Sequence, residues 1–335
     1  MIKDIQLSGL GNALVDVQFQ VTDEELAALG IPKSTMMLAD SERQHEVLKS
    51  FAHYKPHLCS GGSAANTVIA FAQFGGKASY STRIGADNYG RFYTQEFDEL
   101  GVELQAQPTE GEHTGTCIIL ITSDADRTLH TSLGVNTLFN PENVSEDVIA
   151  RSEWLYVEGY KFTEESGSAA IEKAIEYAKK HGTKIAVSFS DAFIVNVFRS
   201  QLDKALKSAD LIFCNELEAT SYTGDSDGEA AFKTLLKTFP NVAVTLAAAG
   251  SLIHWEGKTY EIPAYPATPI DTTGAGDMYA AGVLYGLTHG HSPEKAGRLG
   301  SYASAKIVSQ FGARLEENHK KVRDEVLLKM VDEII

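Results

Sequence analysis

Three short clusters in this chain hold the residues best suited to chemistry. The first is Asp271-Thr272-Thr273-Gly274-Ala275-Gly276-Asp277, followed by the helical pattern MYAAGVLYGLTHG. Small residues ahead of a long helix leave unpaired backbone N–H groups and the positive end of the helix dipole converging with no side chain in the way. That is an anion hole. Asp277 falls in the first turn, where its carboxylate could take a proton from an attacking hydroxyl while the amides stabilise charge on the group in transfer. An ordinary N-cap explains the same residues, since an acid in the first turn is worth ~0.3–1 kcal/mol on structural grounds alone. The second cluster, Gly61-Gly62-Ser63-Ala64-Ala65-Asn66-Thr67, also opens a helix. Its glycines would let a ligand approach the backbone, and Asn66 can bond a polyol through donor and acceptor; close helix–sheet packing is the alternative. The third is Asn215-Glu216-Leu217-Glu218, directly after the apolar run LIFC. At the carboxyl end of a parallel strand, Asn215 and Glu218 would point into the crevice where α/β sheets bind ligands, and the oxygen-rich pair suits hydrated Mg²⁺.

The elements that must position these clusters follow from periodicity. Ile5–Leu10 is strand-like, Val15 to Val21 alternates as a half-exposed strand, and Ser41–Phe51, Ser63–Phe74 and Asn88–Leu100 read as helices. Ala78–Ile84, Gly115–Thr122 and Arg127–Leu133 are β-like. In the second half, the short apolar runs Trp154–Val157, Lys184–Ser188, Leu211–Cys214 and Val242–Leu246 are separated by helical patterns such as Ser168–His181 and Gly228–Phe239. Alternating β and α with continuous apolar strands implies a mostly parallel sheet covered on both faces. The alternating patches near 15–21 and 115–133 do not fit that sheet and predict a separate small β layer. With no repeat or linker, that layer is an excursion from one domain spanning 1–335.

Composition narrows the function classes. The 335 residues include 45 Asp and Glu against 29 Lys and Arg, a net charge of −16, so the overall field opposes nucleic acid and anionic membrane partners. Cys59, Cys117 and Cys214 match neither a disulfide framework nor a CxxC zinc pattern, which points to a reduced, cytoplasmic setting. No run reaches the ~20 apolar residues of a membrane span, and the N-terminus reads as no signal peptide. Two motifs mislead. Gly257-Lys258-Thr259 lacks the earlier Walker glycine, that position being Leu252, and SLIHWEGKTYEI reads as a hairpin. Gly9-Leu10-Gly11 starts like a dinucleotide loop, but Leu14 stands where its third glycine belongs and no helix follows. His53/His57 and His289/His291 read as solvated histidines without a metal-ligand pattern.

Gly61-Gly62-Ser63-Ala64-Ala65-Asn66, Asn215-Glu216-Leu217-Glu218 and Asp271 to Asp277 occur in the order and spacing of the ribokinase-like (PfkB) family of sugar and nucleoside kinases. The resemblance covers nearly the whole chain. Within the family the chain looks most like the adenosine kinases, through Gly11-Asn12-Ala13-Leu14-Val15-Asp16, the GGSAANT loop, and Gly115-Thr116-Cys117 with Asp126-Arg127. The resemblance implies a three-layer α/β/α domain with a mostly parallel central sheet and a small β-sheet lid, formed by about 14–40 and 106–135. It also implies ATP-dependent phosphorylation of a primary hydroxyl on a small nucleoside or sugar, adenosine to AMP being preferred over a ribokinase- or fructokinase-like reaction. By the same resemblance Asp277 looks like the catalytic base, Gly274, Ala275 and Gly276 the anion hole, and Arg127 a lid arginine reaching the phosphate in transfer. Asn12 and Asp16, with Gly61, Gly62, Ser63 and Asn66, resemble the acceptor site. Asn215 and Glu218 resemble the group that positions Mg²⁺ and phosphates through water, Thr245, Gly250 and Thr273 belong with the nucleotide, and Asp271 resembles a monovalent-cation residue, usually for K⁺, near Gln310-Phe311-Gly312. The chain departs from the family at Ala247-Ala248-Ala249, before Gly250, and at Thr273, where adenosine kinases often carry Asn. The expected assembly is a monomer or homodimer. A non-catalytic nucleoside-binding protein and an NAD-dependent oxidoreductase are the rivals; the intact Asp277 cluster opposes one and the failed dinucleotide loop the other.

Overall fold

In the computed structural model, residues 2–33, 35–124 and 126–328 are described; Ser34 and Ala125, inside the two expected lid segments, and the chain ends lie outside the described residues. A nine-stranded sheet runs in the order 258–262, 251–255, 242–245, 211–215, 184–188, 152–158, 5–10, 78–81, 102–105. All of these strands are parallel except the edge hairpin Ser251–Trp255 and Lys258–Ile262. Successive side chains of one strand divide between two cores. Trp154 and Tyr156 pack on one face of the sheet with residues of the helices Ser63–Gln73, Ala275–Thr288 and Pro293–Ile307. Leu155 and Val157 pack on the other face with residues of Glu165–His181, Arg199–Leu206 and Gly228–Leu235. Period-two side chains on a strand apolar throughout require cover on both faces, which is why the short runs read from sequence sit in the middle of this sheet. Each large apolar side chain so buried contributes roughly 1.5–3 kcal/mol relative to exposure. The architecture is thus the expected mostly parallel α/β sheet covered on both faces, with a smaller second sheet.

Helix Ala275–Thr288, apolar nearly all round, is buried from Met278 to Gly286. It crosses Pro293–Ile307 so closely that a Cβ at Gly282 would stand 2.6 Å from the Cα of Gly300. The expected strand Ala78–Ile84 is broken after Ser81, and Ile84–Gly85 pairs instead with Pro108–Thr109 in a separate two-stranded ribbon.

A second sheet of five strands has the order 36–38, 127–132, 115–121, 14–20, 57–61. Four of its strands lie within the two expected lid segments, 14–40 and 106–135. The fifth, His57–Gly61, lies outside both and pairs antiparallel with Leu14–Gln20. Its sequence, HLCSG, carries no apolar alternation, so tertiary pairing rather than propensity makes it a strand. The register places Cys59, Asp16, Cys117 and Thr131 in one cross-strand row.

Candidate active site

The site is built at the carboxyl edge of the parallel sheet. Asn12 follows strand Ile5–Leu10, Glu158 ends Ser152–Glu158, Asp191 lies just beyond Lys184–Ser188, and Asn215 and Thr245 end their own strands as register partners. Side chains at these ends share one crevice because parallel strands all point the same way. The helices Ser63–Gln73 and Ala275–Thr288 are among those that begin at this edge.

Asp277 occupies the third position of its helix. Ser63 Oγ donates to its Oδ1 at 2.7 Å and Asn66 Nδ2 donates to its Oδ2 at 3.1 Å. Burial pushes the Asp277 carboxyl up to about 6 against those two hydrogen bonds, which favour the ionised form. Gly274 caps the helix in the left-handed region at φ 76°, where a side chain would be strained and its Cβ would lie 2.4 Å from the Cβ of Ala313. The amides of Gly274, Gly276 and Asp277 donate to no protein group among the described residues, whereas Ala275 N–H is turned onto the carbonyl of Thr272 at 3.2 Å. The open donors therefore flank Ala275 and do not include it.

Asn12 is buried. Its N–H donates to Glu158 Oε1 at 3.0 Å, its carbonyl accepts from Tyr80 OH at 2.9 Å, and its side-chain Oδ1 accepts from Lys161 Nζ at 3.0 Å. Gly62, at φ 108°, brings its Cα so close to the Asn12 carbonyl that a Cβ would stand 2.1 Å from that oxygen. Gly61 faces Asp16, with a Cβ position 3.0 Å from its carboxylate. Gly62 is thus required for protein packing, and a side chain at Gly61 would crowd Asp16. Burial pushes Asp16 up to about 7 against the charges of Arg127 and Arg314. Glu158, also raised to about 7 by burial, accepts from the amides of Asn12 and of Ala64.

Arg127 reaches from the second sheet to ion-pair with Asp271, and its Nη1 also donates to Thr273 Oγ1 at 3.3 Å. Asp271 accepts in addition from the amides of Thr273 and Gly312, each at 2.9 Å. Despite its burial, these donors and the Arg127 charge hold its carboxyl below the ordinary range. Both Asp271 carboxylate oxygens thus accept from N–H donors. No group of three or more His, Cys, Asp or Glu among the described residues is placed to hold a metal ion.

Asn215 and Glu218 form a closed capping box. Glu218 N donates to Asn215 Oδ1 at 2.8 Å, while Asn215 N and Nδ2 donate to the Glu218 carboxylate at 3.0 and 2.7 Å. Burial pushes Glu218 up to about 7, with Asp191 and Asp277 adding like-charge repulsion. Gly250, at φ 93°, closes the turn after Thr245 through Leu246 N–H to its carbonyl at 2.8 Å, and Ala247–Ala249 form an exposed 3₁₀ turn. Thr245, Gly250, Asn215 and Glu218 thus make no direct hydrogen bond to the Asp277 cluster.

Sequence reading missed Glu158, Lys161, Glu96 and Arg314. Arg314 Nη1 pairs with Glu96 at 2.5 Å and its Nη2 donates to the Ser60 carbonyl at 2.6 Å, tying the segment after Gly312 to the second sheet beside Asp16. Glu158 carried a readable signal: a carboxylate straight after a buried parallel strand, the same signal that singled out Asn215 and Glu218. The others carried none.

Comparison with known proteins places this geometry. Residues 35–320 match the pfkB family carbohydrate kinases. The chain is 28% identical over 324 residues to an adenosine kinase of Saccharomyces cerevisiae, covering 90% of this chain and 94% of that one. The solved adenosine kinase of Sinorhizobium meliloti is 31% identical with a TM-score of 0.85, over 96% of this chain and 99% of that one. A probable sugar kinase from Rhizobium etli CFN 42 is also 31% identical, with a TM-score of 0.86 over 97% and 99%. No helix among the described residues is long and apolar enough to cross a membrane.

Proposed function

The chain belongs to the pfkB family of carbohydrate kinases and is a kinase, and from that premise we propose that it moves the γ-phosphoryl group of ATP onto the 5′-hydroxyl of adenosine, giving AMP and ADP. The observation that carries this reading is the Asp277 carboxylate, raised to about 6 and aimed by Ser63 and Asn66 beside the open amides of one helix N-terminus. A base poised near the working pH next to preorganised donors suits proton removal from an alcohol coupled to growth of charge on a phosphoryl group. The acceptor oxygen forms its bond to the γ-phosphorus, the bond to the β–γ bridging oxygen breaks, ADP departs, and the hydroxyl proton passes to Asp277. Gly274, Gly276 and Asp277 supply amides to the transferred group, with Ala275 holding the turn, and Arg127 exchanges Asp271 for the phosphate. Asn12, Asp16 and Asn66 hold the acceptor's hydroxyls; an ionised Asp16 can accept from two neighbouring ones.

The nucleotide takes the side of Asn215, Glu218, Thr245, Gly250 and Thr273. Mg²⁺, which neutralises phosphate charge when bound, fits the acidic oxygens of Glu218 and Asp191, whose mutual repulsion a cation would relieve. With Arg127 in place Asp271 is filled by N–H donors, and its oxygen is open to K⁺ only once Arg127 has moved to the phosphate. The second sheet, comprising the segments 14–40 and 106–135 together with His57–Gly61, serves as the lid that excludes water.

Adenosine is favoured by the named relatives in yeast and Sinorhizobium; a sugar acceptor is the second reading, favoured by the similarity to the Rhizobium etli sugar kinase. ADP release from Mg·ATP with adenosine, inosine, guanosine, cytidine, ribose and fructose, in K⁺ and in K⁺-free buffer, separates them. Stimulation by adenosine alone is expected. Stimulation by ribose or fructose alone selects the sugar reading, and no acceptor-dependent ADP removes both.

A further inference from the structure

Lys161 is 1% exposed, a fully buried ammonium that the proposed chemistry does not use. Its three polar partners are Asn12 Oδ1 at 3.0 Å, the Asn136 carbonyl at 3.0 Å and Glu164 Oε2 at 3.1 Å, and it lies 5.4 Å from the centre of the Phe139 ring. Helix Glu165–His181 makes room for it at Gly167, where a Cβ would stand 3.1 Å from Lys161 Cε. An ammonium has donors only, so the Asn12 atom facing it must be the carbonyl oxygen; the amide cannot be flipped without setting N–H against N–H. The backbone N–H and carbonyl of Asn12 are taken by Glu158 and Tyr80. Its side-chain Nδ2 is the one polar group of the residue with no protein partner among the described residues.

We propose that Lys161 is a positioning residue for the acceptor: by holding Asn12 Oδ1 it makes Asn12 present N–H donors, and no carbonyl, to the acceptor pocket. The inference rests on the placing of Asn12 in that pocket and adds a polarity to it. The bound molecule must turn an oxygen or nitrogen lone pair toward Asn12, while its hydroxyl hydrogens go to Asp16 and to Asn66 Oδ1. An acceptor analogue carrying hydrogen in place of that hydroxyl loses the contact, because the Asn12 N–H groups are then left unpaired.

The test is equilibrium binding of adenosine to the full chain by titration calorimetry, with acceptor-stimulated ADP release measured in parallel. Lys161→Met and Asn12→Ala should each weaken adenosine binding by about tenfold, and the double variant should bind within about twofold of Asn12→Ala alone, because the two residues act as one unit. The KM for ATP should stay within about twofold of the parent in Lys161→Met, as expected for a residue acting only on the acceptor side. Glu164→Gln removes the ion pair without touching Asn12 and should leave binding unchanged. Asn12→Asp keeps the shape and the Lys161 partner but turns an oxygen toward the acceptor, and should bind at least as poorly as Asn12→Ala. That variant carries the test even if Lys161→Met does not fold. Additive losses in the double variant, equal loss in Glu164→Gln, or Asn12→Asp binding within about threefold of the parent overturns the inference. Binding changes of the expected kind without acceptor-stimulated ADP release would keep it and remove the kinase reading of the acceptor; turnover with no binding change would do the reverse.

Discussion

At the scale of single residues, the site is a group of carboxylates held above their ordinary range by burial: Asp277 at about 6, and Asp16, Glu158 and Glu218 at about 7. A base must be ionised to act, so kcat/KM for the acceptor should fall as pH drops through 7 and more steeply below 6, and a profile flat to pH 5 would contradict the assignment. Ser63→Ala removes a hydrogen bond that favours the ionised form, so the acid limb of its pH–rate profile should move to higher pH. The stability consequence has the opposite sense. A raised carboxyl makes the folded state bind protons that the unfolded chain has released, so its contribution to stability declines as pH rises from about 4 to about 6 for Asp277. Asp277→Asn should therefore melt a few degrees above the unliganded parent at pH 7.5, with the gain fading near pH 4. Asp277 could be singled out as the candidate base because small residues and an acid at a helix start have a local chemical reason. What Ser63 and Asn66 do was not, since they lie more than 200 residues from Asp277 in the chain and meet it only through the fold. Lys161 gave no sign at all, because a lysine in a polar turn reads as solvated until the strands and helices close over it.

At the scale of elements, the ties that join the second sheet to the body include Arg127 to Asp271, and Arg314 to Glu96 and the Ser60 carbonyl. Glu96 also accepts from Ser60 N and Oγ at 2.7 and 2.5 Å, so the edge strand His57–Gly61 hangs on this pair. Arg314→Met leaves Glu96 without its cation beside Asp16, and amide exchange should quicken across His57–Gly61 while the central strand Ser152–Glu158 keeps its protection. Equal acceleration in both would show global destabilisation instead. Gly274→Ala meets both a positive φ and the Ala313 side chain, so it should lower kcat by about a hundredfold or more through the displaced amides, with the acceptor KM far less changed. The buried parallel strands were legible from their continuous apolar runs. His57–Gly61 was not, because its pairing partner rather than its own sequence makes it a strand.

At the scale of the whole molecule, an acidic chain of net charge −16 offers the proposed nucleotide its positive potential in a few places: a helix N-terminus, Arg127 and, when bound, Mg²⁺. Because surface charge is screened beyond ~8 Å at physiological salt, the excess acid outside the crevice does not oppose a small polyphosphate there, though it does oppose a long one. Mg·ATP at about a hundred times its Kd should thus raise the melting temperature, corresponding to about 2.7 kcal/mol of linkage, while duplex DNA at the same phosphate concentration should leave it unchanged. A shift with DNA and none with Mg·ATP would contradict the placing of charge. The measurement that bears most directly on the whole account compares the parent and Asp277→Asn in turnover of adenosine with Mg·ATP, the product identified by mass spectrometry and adenosine affinity measured alongside. The parent should make AMP, and the variant should lose about three orders of magnitude or more in kcat with adenosine affinity within a few-fold. A variant that turns over within tenfold of the parent would show that Asp277 is not the base.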